Sequence, residues 1–308
     1  MDRVLVTGGS GFIGSNVIDE LMKSFKVVNL DLKPSKNSEI EQIIGDIRDK
    51  ELVEQVVEKC DVIIHLAAQI SVPLSIDYPQ KTLEINVQGT QNIIDAAHKF
   101  GIKRLIMASS AAVYGEASNL PLAEESAGQC LSPYAQSKWE NETQIMLARE
   151  NGLEAVALRF FNVYGPGQST DGAYAAVIPK FVEMLTTGKH PIIHGDGLQS
   201  RDFVHVKDLV RAIENLLECD WNLVDDHAYN LASQSQTTIL DILELINTSI
   251  EKINPDFNLI EPNFEHPRKG DIKHSFADIS KITSTLDWKP STELSQGIEE
   301  LVRIRLNQ

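Results

Sequence analysis

Short β-branched runs alternate with amphipathic stretches in the first half of the chain, and this order constrains the fold most. The runs predict strands over Val4–Thr7, Val27–Asp31, Gln42–Ile44, Asp61–Leu66, Arg104–Ala108 and Ala155–Arg159. The stretches between them have helical spacing, and they include Phe12–Met22, Lys50–Lys59, Pro79–Phe100 and Pro133–Asn151. Apolar strands joined by helices predict an α/β fold, a doubly wound parallel sheet covered on both faces. Such sheets bind ligands beyond the carboxyl ends of their strands.

The pattern changes after residue 165, where loops such as Gly165-Pro166-Gly167 become richer in glycine and proline. We therefore expect a doubly wound (Rossmann) domain over residues 1–165 and a smaller C-terminal α/β lobe over residues 166–308. The first domain would bind a cofactor and the second a substrate. We also expect the chain to cross back to the first domain around residues 200–220.

Charge narrows the set of partners. The chain has 308 residues, with 28 basic and 44 acidic side chains and a formal net charge of −16. An acidic surface repels the phosphates of nucleic acids and anionic lipids, so we expect neither nucleic acid nor membrane as a partner. No apolar run approaches the roughly 20 residues that cross a bilayer.

Cysteine and histidine positions bear on compartment and metals. The cysteines Cys60, Cys130 and Cys219 are far apart and lack metal-type spacing, which is typical of reduced thiols in a cytoplasmic protein. His190 and His194 have a metal-like spacing, but the β-branched pair between them favours a strand. We expect no bound metal, because a site needs three or more converging ligands.

A glycine-rich turn, Gly8-Gly9-Ser10-Gly11-Phe12-Ile13-Gly14, joins the first predicted strand to the first predicted helix. Glycines at this spacing allow a tight turn, close approach to a diphosphate and close packing of helix on strand. The helix N-terminus then offers free N–H groups to the phosphates. The second strand ends at Asp31, whose carboxylate can accept both adenosine ribose hydroxyls and repels a 2′-phosphate. The pattern predicts NAD as the cofactor; the alternative is a purely structural turn.

Tyr134 and Lys138 lie one turn apart at the start of a predicted helix that follows Pro133. A free phenol has a pKa near 10, and a nearby ammonium and a positive nicotinamide ring would lower it. Ser110 ends a strand at the carboxyl edge of the sheet, where its hydroxyl can contact substrate. These residues indicate proton transfer. The alternative is a solvated Tyr–Lys pair and a serine turn that ends the strand.

Together these motifs resemble the extended short-chain dehydrogenase/reductase family. The resemblance covers essentially the whole chain, and its further segments are 65–68, 86–90, 109–115, 159–167, 195–203 and 268–271. Within that family the chain is most similar to the UDP-glucose 4-epimerases and the UDP-N-acetylglucosamine 4-epimerases. The resemblance implies an NAD-dependent epimerase that inverts C4 of a UDP-hexose through a 4-keto intermediate.

The resemblance also implies roles for individual residues. Tyr134 would be the base that takes the proton of the sugar 4-hydroxyl, assisted by Lys138 and Ser110. The implied cofactor-binding residues, besides Gly8, Gly11, Phe12, Ile13, Gly14 and Asp31, are Asp46, Ile47, Ala67, Asn86, Tyr134 and Lys138. The implied substrate-binding residues are Ser71, Ser110, Asn162, Val177, Arg201, Arg268, Asp271 and Ser275. Arg201 and Arg268 would pair with the substrate phosphates.

Two features bear on substrate choice. Dehydratases of the family carry an acidic pair where this chain has Ala111-Ala112, which disfavours dehydration. Ser275 falls where some epimerases have a bulky residue, and its small side chain would leave room for an N-acetyl group. We therefore expect turnover of UDP-glucose and UDP-galactose and also of UDP-GlcNAc and UDP-GalNAc. The alternatives are another NAD-dependent nucleotide-sugar enzyme, a dehydratase or decarboxylase, and a non-catalytic NAD-binding scaffold.

Assembly is implied by the resemblance alone. Family members pair through the two helices that match Pro79–Phe100 and Pro133–Asn151, so we expect a homodimer joined by a four-helix bundle. The alternative is that the apolar faces of these helices are covered within the monomer.

Overall fold

The computed structural model describes residues 2–116, 119–170, 176–267 and 272–307. Its strands are β1 (Arg3–Thr7), β2 (Lys26–Asp31), β3 (Glu41–Ile44), β4 (Val62–His65), β5 (Arg104–Ser110), β6 (Glu154–Phe160), β7 (Asn162–Tyr164), β8 (Ile192–His194), β9 (Ser200–Arg201), β10 (Phe203–His205), β11 (Ala228–Leu231), β12 (Thr237–Thr238) and β13 (Asn263–Glu265). Seven of them form a parallel sheet in the order β11-β6-β5-β4-β1-β2-β3. The predicted doubly wound fold is confirmed.

Helices cover both faces of this sheet. The described helices are α1 (Phe12–Leu21), α2 (Lys50–Val57), α3 (Val72–Asp77), α4 (Pro79–Leu83), α5 (Gly89–Phe100), α6 (Pro133–Glu150), α7 (Val177–Thr186), α8 (Val206–Glu218), α9 (Ile239–Ile253), α10 (Ser280–Leu286) and α11 (Leu294–Leu306). Val4 and Val6 of β1 point toward α1 and α8, whereas Leu5 points toward α2 and α5. This alternation buries the sheet on both sides.

The seventh strand, β11, was not predicted from the sequence. It pairs with β6 although it comes from the part of the chain after residue 165. Its sequence, Ala-Tyr-Asn-Leu, contains no β-branched residue, so nothing local marks it as a strand. The buried Asn230 side chain fixes it by donating hydrogen bonds to the backbone oxygens of Leu122 and Asp278. The division into residues 1–165 and 166–308, with a crossing near 200–220, stays a prediction.

The predicted helix over Pro79–Phe100 is instead three consecutive segments. A π-helical stretch, Glu84–Gln88, separates α4 from α5. Gly89 follows it, and a Cβ atom there would lie 2.5 Å from the Ile47 side chain, so α5 packs closely against the loop after β3. Gly101 ends α5 in the left-handed conformation, which glycine adopts readily.

The other strands form three short pairs, β7 with β10, β8 with β13 and β9 with β12. A separate apolar cluster joins α7, α9 and α11 beside these pairs. Among the helices that the structure describes, none combines the length and apolar character needed to span a bilayer.

Candidate functional site

A cavity of about 980 Å³ lies where the carboxyl ends of the central strands meet. Its wall includes Gly8 after β1, Asp31 at the end of β2, Ala67 after β4, Ser110 at the end of β5 and Phe160 at the end of β6. Doubly wound sheets bind ligands at this edge, and the volume suits a cofactor with part of a substrate.

The glycine turn fits a bound diphosphate. A Cβ atom on Gly14 would lie 2.3 Å from the Gly8 carbonyl oxygen, and one on Gly8 would lie 2.7 Å from the Ala67 nitrogen. Gly8 also has a φ of 72°, which favours glycine. Gly11 precedes α1 without any side-chain cap. The N–H groups of the first turn of α1 are therefore available to phosphate oxygens.

Two carboxylates line the cavity beside this turn, in different settings. Asp31 accepts hydrogen bonds from the backbone N–H groups of Ser10 at 3.0 Å and Lys33 at 3.1 Å, which orient it at the end of β2. The Asp46 carboxylate lies 2.6 Å from Arg48 Nη2, and this hydrogen bond holds the pKa of Asp46 below its usual range. Asp31 thus has the geometry expected for a ribose-binding carboxylate, while Asp46 is paired within the protein.

The three candidate catalytic residues come together in the same cavity. Ser110 ends β5, and Tyr134 and Lys138 lie on the first turns of α6. The Ser132 side chain caps α6 by accepting from the Ala135 N–H at 3.1 Å, and Pro133 follows at the first helical position. The Ser110 side chain lies near enough to the Tyr134 phenol to act on its pKa.

Burial shifts the pKa values of Tyr134 and Lys138. It raises the pKa of Tyr134, with the Ser110 hydrogen bond acting in the opposite direction. It also lowers the pKa of Lys138 to about 8, against the effect of Glu142. Lys138 Nζ donates to the Ala108 carbonyl oxygen at 2.8 Å. The sequence predicted a lowered tyrosine pKa. In the chain alone the pKa of Tyr134 is raised instead, because burial outweighs the effect of Ser110.

Every predicted cofactor-binding residue except Asn86 lines the cavity. Asn86 is 1% exposed, and its side chain serves the protein itself. Its Oδ1 accepts from the Gln69 N–H at 2.8 Å, and its Nδ2 donates to the Gln69 carbonyl at 3.0 Å and to Ser137 Oγ at 2.9 Å. Asn86 therefore holds the loop after β4 against α6. It supports the cavity wall without lining the cavity.

Only some of the predicted substrate-binding residues lie at the cavity. Ser110, Asn162 and Val177 line the cavity, but Ser71, Arg201 and Ser275 do not. Arg268 and Asp271 lie outside the described residues, as do residues 172–175 before Val177.

Local contacts account for the three residues away from the cavity. Ser71 caps α3, where its hydroxyl accepts from the Leu74 N–H at 3.3 Å. Arg201 and Ser275 lie together, because Arg201 Nη1 and the Ser275 N–H both donate to the Ser200 carbonyl oxygen, at 2.8 and 3.1 Å.

Gln168 and Lys81 also line the cavity, and neither was predicted as a site residue from the sequence. Gln168 donates to the Val163 carbonyl at 3.0 Å, and its Oε1 is buried with no hydrogen-bond partner among the described residues. It follows directly after the segment 159–167, which was its only sequence signal. Lys81 on α4 adds a positive charge to the wall, and nothing in its local sequence distinguished it from a surface lysine.

Comparison with known proteins adds three findings. Residues 4–232 match the model of the NAD dependent epimerase/dehydratase family. A UDP-glucose 4-epimerase of Mycolicibacterium smegmatis is 33% identical and matches 99% of both chains, and a UDP-N-acetyl-alpha-D-glucosaminuronate decarboxylase of Bacillus cytotoxicus is 30% identical over 98% of this chain and 97% of its own. A solved UDP-N-acetylglucosamine 4-epimerase of Methanobrevibacter ruminantium, in complex with UDP-N-acetylmuramic acid, is 36% identical, with a TM-score of 0.92 over 100% of this chain and 99% of its own.

Proposed function

The chain belongs to the NAD-dependent epimerase/dehydratase family, and we propose that it inverts C4 of UDP-hexoses through a 4-keto intermediate. The observation that carries this proposal is the convergence of Ser110, Tyr134 and Lys138 in one cavity with the glycine turn and Asp31. A hydroxyl, a phenol and an ammonium beside a nicotinamide site are the groups that oxidation of a sugar hydroxyl needs. A non-catalytic NAD-binding scaffold requires none of the three.

The protein residues divide the proton chemistry among them. NAD, when bound, would reversibly accept the hydride that leaves C4 of the hexose. Tyr134 takes the proton of the 4-hydroxyl and later returns it to the same oxygen. The Ser110 hydroxyl, in the same cavity as Tyr134, aligns the reacting oxygen, and Lys138 stabilises the phenolate. If the keto sugar turns over between the two steps, C4 is inverted without net oxidation.

Binding must work against the charge of the protein. A chain with a net charge of −16 would hold two diphosphates, so long-range attraction cannot capture them. We propose that the N–H groups at the start of α1 bind the NAD diphosphate, and that Arg201 and Arg268 bind that of UDP. Asn162 lines the cavity near the sugar nucleotide in this arrangement. Firm anchoring at the diphosphate and loose contact with the hexose would let the keto sugar turn.

We propose that the substrates include both plain and N-acetylated UDP-hexoses. Ser275, buried beside the strand that carries Arg201, has a small side chain. The similar structure from Methanobrevibacter ruminantium is a UDP-N-acetylglucosamine 4-epimerase. A specificity for UDP-glucose and UDP-galactose alone is the narrower possibility that the experiment below separates.

The test is incubation with UDP-glucose and UDP-GlcNAc side by side, without added NAD, followed by NMR of the products. We expect UDP-galactose and UDP-GalNAc, with the cofactor supplied by the purified protein. No conversion of the N-acetyl sugar would reject the wider substrate range. A 4-keto-6-deoxy sugar would instead support a dehydratase. A decarboxylase would leave both sugars unchanged and release carbon dioxide from a UDP-uronic acid in a parallel incubation.

We also propose that residues 1–165 bind NAD, that residues 166–308 bind the UDP-sugar, and that two chains pair through α4–α5 and α6. The solvent side of α6 carries Met146 and Leu147, which are 37% and 48% exposed. Leu147→Glu should shift the protein from dimer to monomer in light scattering after gel filtration. A wild-type protein that is already monomeric would reject this pairing.

A cytoplasmic location is proposed from the thiols. Cys60, Cys130 and Cys219 are all free in the structure, and burial raises the pKa of the Cys60 thiol to about 11. Free, unreactive thiols suit a reducing compartment. Cell fractionation with antibody detection tests this directly, and recovery from an oxidising compartment would reject it.

A further inference from the structure

A buried ion pair lies directly behind the candidate catalytic residues. Glu142 of α6 is 1% exposed and Arg159 of β6 is 2% exposed. Arg159 Nη2 donates to Glu142 Oε2 at 2.8 Å, and Arg159 Nε donates to Glu142 Oε1 at 3.0 Å. The two planar groups therefore meet through two parallel hydrogen bonds. A pair at this depth has lost its hydration and needs further polar partners.

Those partners come from several elements of the sheet. The Ser109 hydroxyl on β5 donates to Glu142 Oε1 at 2.5 Å. Arg159 Nη1 donates to Tyr114 Oη at 2.9 Å and to the Glu124 carbonyl at 2.7 Å. Tyr114 Oη in turn donates to Asn230 Oδ1 on β11, also at 2.5 Å. One network thus joins α6 to three neighbouring strands.

The network reaches each catalytic residue through its neighbour in the chain. Glu142 lies one helical turn after Lys138, which lies one turn after Tyr134, and Ser109 immediately precedes Ser110. Glu142, Arg159 and Tyr114 do not line the cavity. They can therefore influence the reaction only indirectly, through the position of the catalytic residues and through the charge that these residues experience.

We propose that the Glu142–Arg159 pair is a positioning element of the active site, which holds α6 on β5 and places a negative charge one turn from Lys138. The kinetic part of this inference rests on the proposed function. The charge part concerns the NAD-bound protein alone and can be measured without any sugar. An ion pair that serves only to stabilise the fold would have neither effect.

The surroundings of Lys138 favour a role for this charge. The titratable and charged groups that face Lys138 or the pair are, in chain order, His65, Tyr114, Glu124, Cys130, Tyr134, Glu142 and Arg159. Burial lowers the pKa of His65 to about 3 and raises those of both tyrosines and of Cys130, so these four are neutral. Burial also raises the pKa of Glu124, which lies at the Arg159 end of the network. Glu142 is the carboxylate that opposes the loss of the Lys138 proton.

The experiment compares two ways of removing the charge in the NAD-bound enzyme. Glu142→Gln removes the carboxylate but leaves Arg159 buried and unpaired. The double change Glu142→Met with Arg159→Met replaces both members by apolar side chains of similar length, which proteins often tolerate without loss of stability. The matched control is Glu140→Gln, which neutralises an exposed glutamate of the same helix.

The first measurement is the Lys138 titration, followed by NMR of side-chain-labelled lysine and assigned with Lys138→Met. We expect its pKa to fall most in Glu142→Gln, where the opposing carboxylate is lost and the Arg159 charge remains, and to fall by less in the double variant, where both charges are lost. The control should titrate as the wild type does. A folded double variant with an unchanged Lys138 pKa would overturn the charge role.

The second measurement is turnover of the UDP-sugars. We expect kcat of the double variant to fall by roughly tenfold to a hundredfold with KM nearly unchanged, since displaced catalytic groups slow a reaction without weakening substrate contacts. A wild-type kcat in the double variant would overturn the positioning role. If the wild-type enzyme itself converts no UDP-sugar, the proposed function fails, and the lysine titration still decides the inference.

Discussion

The glycine-turn part of the cavity wall is formed at the carboxyl ends of a seven-stranded buried sheet, whereas another part comes from β7 and β10, one of the three pairs of short strands. On the cofactor side, backbone groups form the contact surface, and glycines at 8 and 14 leave no room for a Cβ atom. The candidate substrate ligands are side chains: Asn162 and Val177 line the cavity, and Arg201 lies away from it on a two-residue strand.

This difference suits the two molecules that the site would hold. A cofactor that is regenerated in every turnover can stay in a rigid backbone cradle. A sugar that must present both faces to the same cofactor needs contacts that release part of it. Within one cavity, backbone contacts can therefore hold one ligand rigidly while side-chain contacts leave another free to turn.

Tyr134 belongs to the rigid side, and its removal should have the largest effect. Tyr134→Phe removes the proton acceptor but keeps the ring in its buried place, so we expect kcat to fall on the order of 10²–10⁴-fold. The content of bound NAD should not change, which absorbance of the purified protein can check. Activity within tenfold of the wild type would show that the phenol is not the base.

Gly14→Ala tests the backbone cradle. The added Cβ would meet the Gly8 carbonyl oxygen at 2.3 Å, and we expect loss of bound NAD and of about 3 kcal/mol of stability. Gly188→Ala is the control for crowding, because a Cβ there meets nothing within 4 Å, and its own cost comes only from the positive φ of 73°. Its cost should be about 1 kcal/mol, with NAD retained. Equal behaviour of the two variants in thermal unfolding would contradict a crowded cradle.

Arg201→Met tests the proposed contact between this arginine and the UDP diphosphate. Loss of a charged hydrogen bond to phosphate should raise KM roughly tenfold to a hundredfold, or about 1.5–3 kcal/mol, with little change in kcat. Arg303→Met, on the exposed surface of α11, is the control. Steady-state kinetics on one UDP-sugar measures both, and an unchanged KM for Arg201→Met would remove this arginine from the site.

Two buried histidines should respond differently to acid on the two sides. Burial lowers the pKa of His65 to about 3, whereas Glu300 opposes the same effect at His205. A lowered pKa means that the unfolded chain binds more protons below pH 6.5, so stability falls as the pH falls from 6.5 toward 3. Between pH 7 and pH 5 His65 should contribute a loss of about 2 kcal/mol, and His205 a smaller one.

The measurement is urea unfolding at both pH values for the wild type, His65→Gln and His205→Gln. The wild type should lose more stability on acidification than His65→Gln does. If His205→Gln reduces the acid dependence more than His65→Gln, the two histidine environments have been assigned the wrong way round.

Local sequence predicted the rigid side well. The glycine turn, Asp31 and the Tyr134–Lys138 spacing each depend on residues within one strand and one helix. Six of the seven described strands before residue 165 were also predicted, because β-branched runs mark them, whereas the three-residue β7 was not. The predicted substrate residue Ser71 and the predicted cofactor residue Asn86 instead make contacts within the protein, since their partners come from packing that no local pattern encodes.

Long-range contacts account for what was missed. The strand β11 is defined by pairing with β6 and by the contacts of Asn230. The pair of Glu142 and Arg159 joins a helix to a strand, and each residue alone resembles an ordinary surface charge in sequence. The direction of the Tyr134 pKa also depends on burial, which only the packed fold determines.

In the proposed reaction the hydrogen on C4 of the hexose leaves as a hydride and returns to the same carbon. Isotope labelling at C4 follows that hydrogen. UDP-glucose carrying deuterium at C4 of the hexose is converted in ordinary water, and the product is examined by NMR and mass spectrometry. We expect UDP-galactose that keeps the deuterium at C4, because the same hydrogen leaves and returns within the site. Product in which C4 carries hydrogen from water would contradict it.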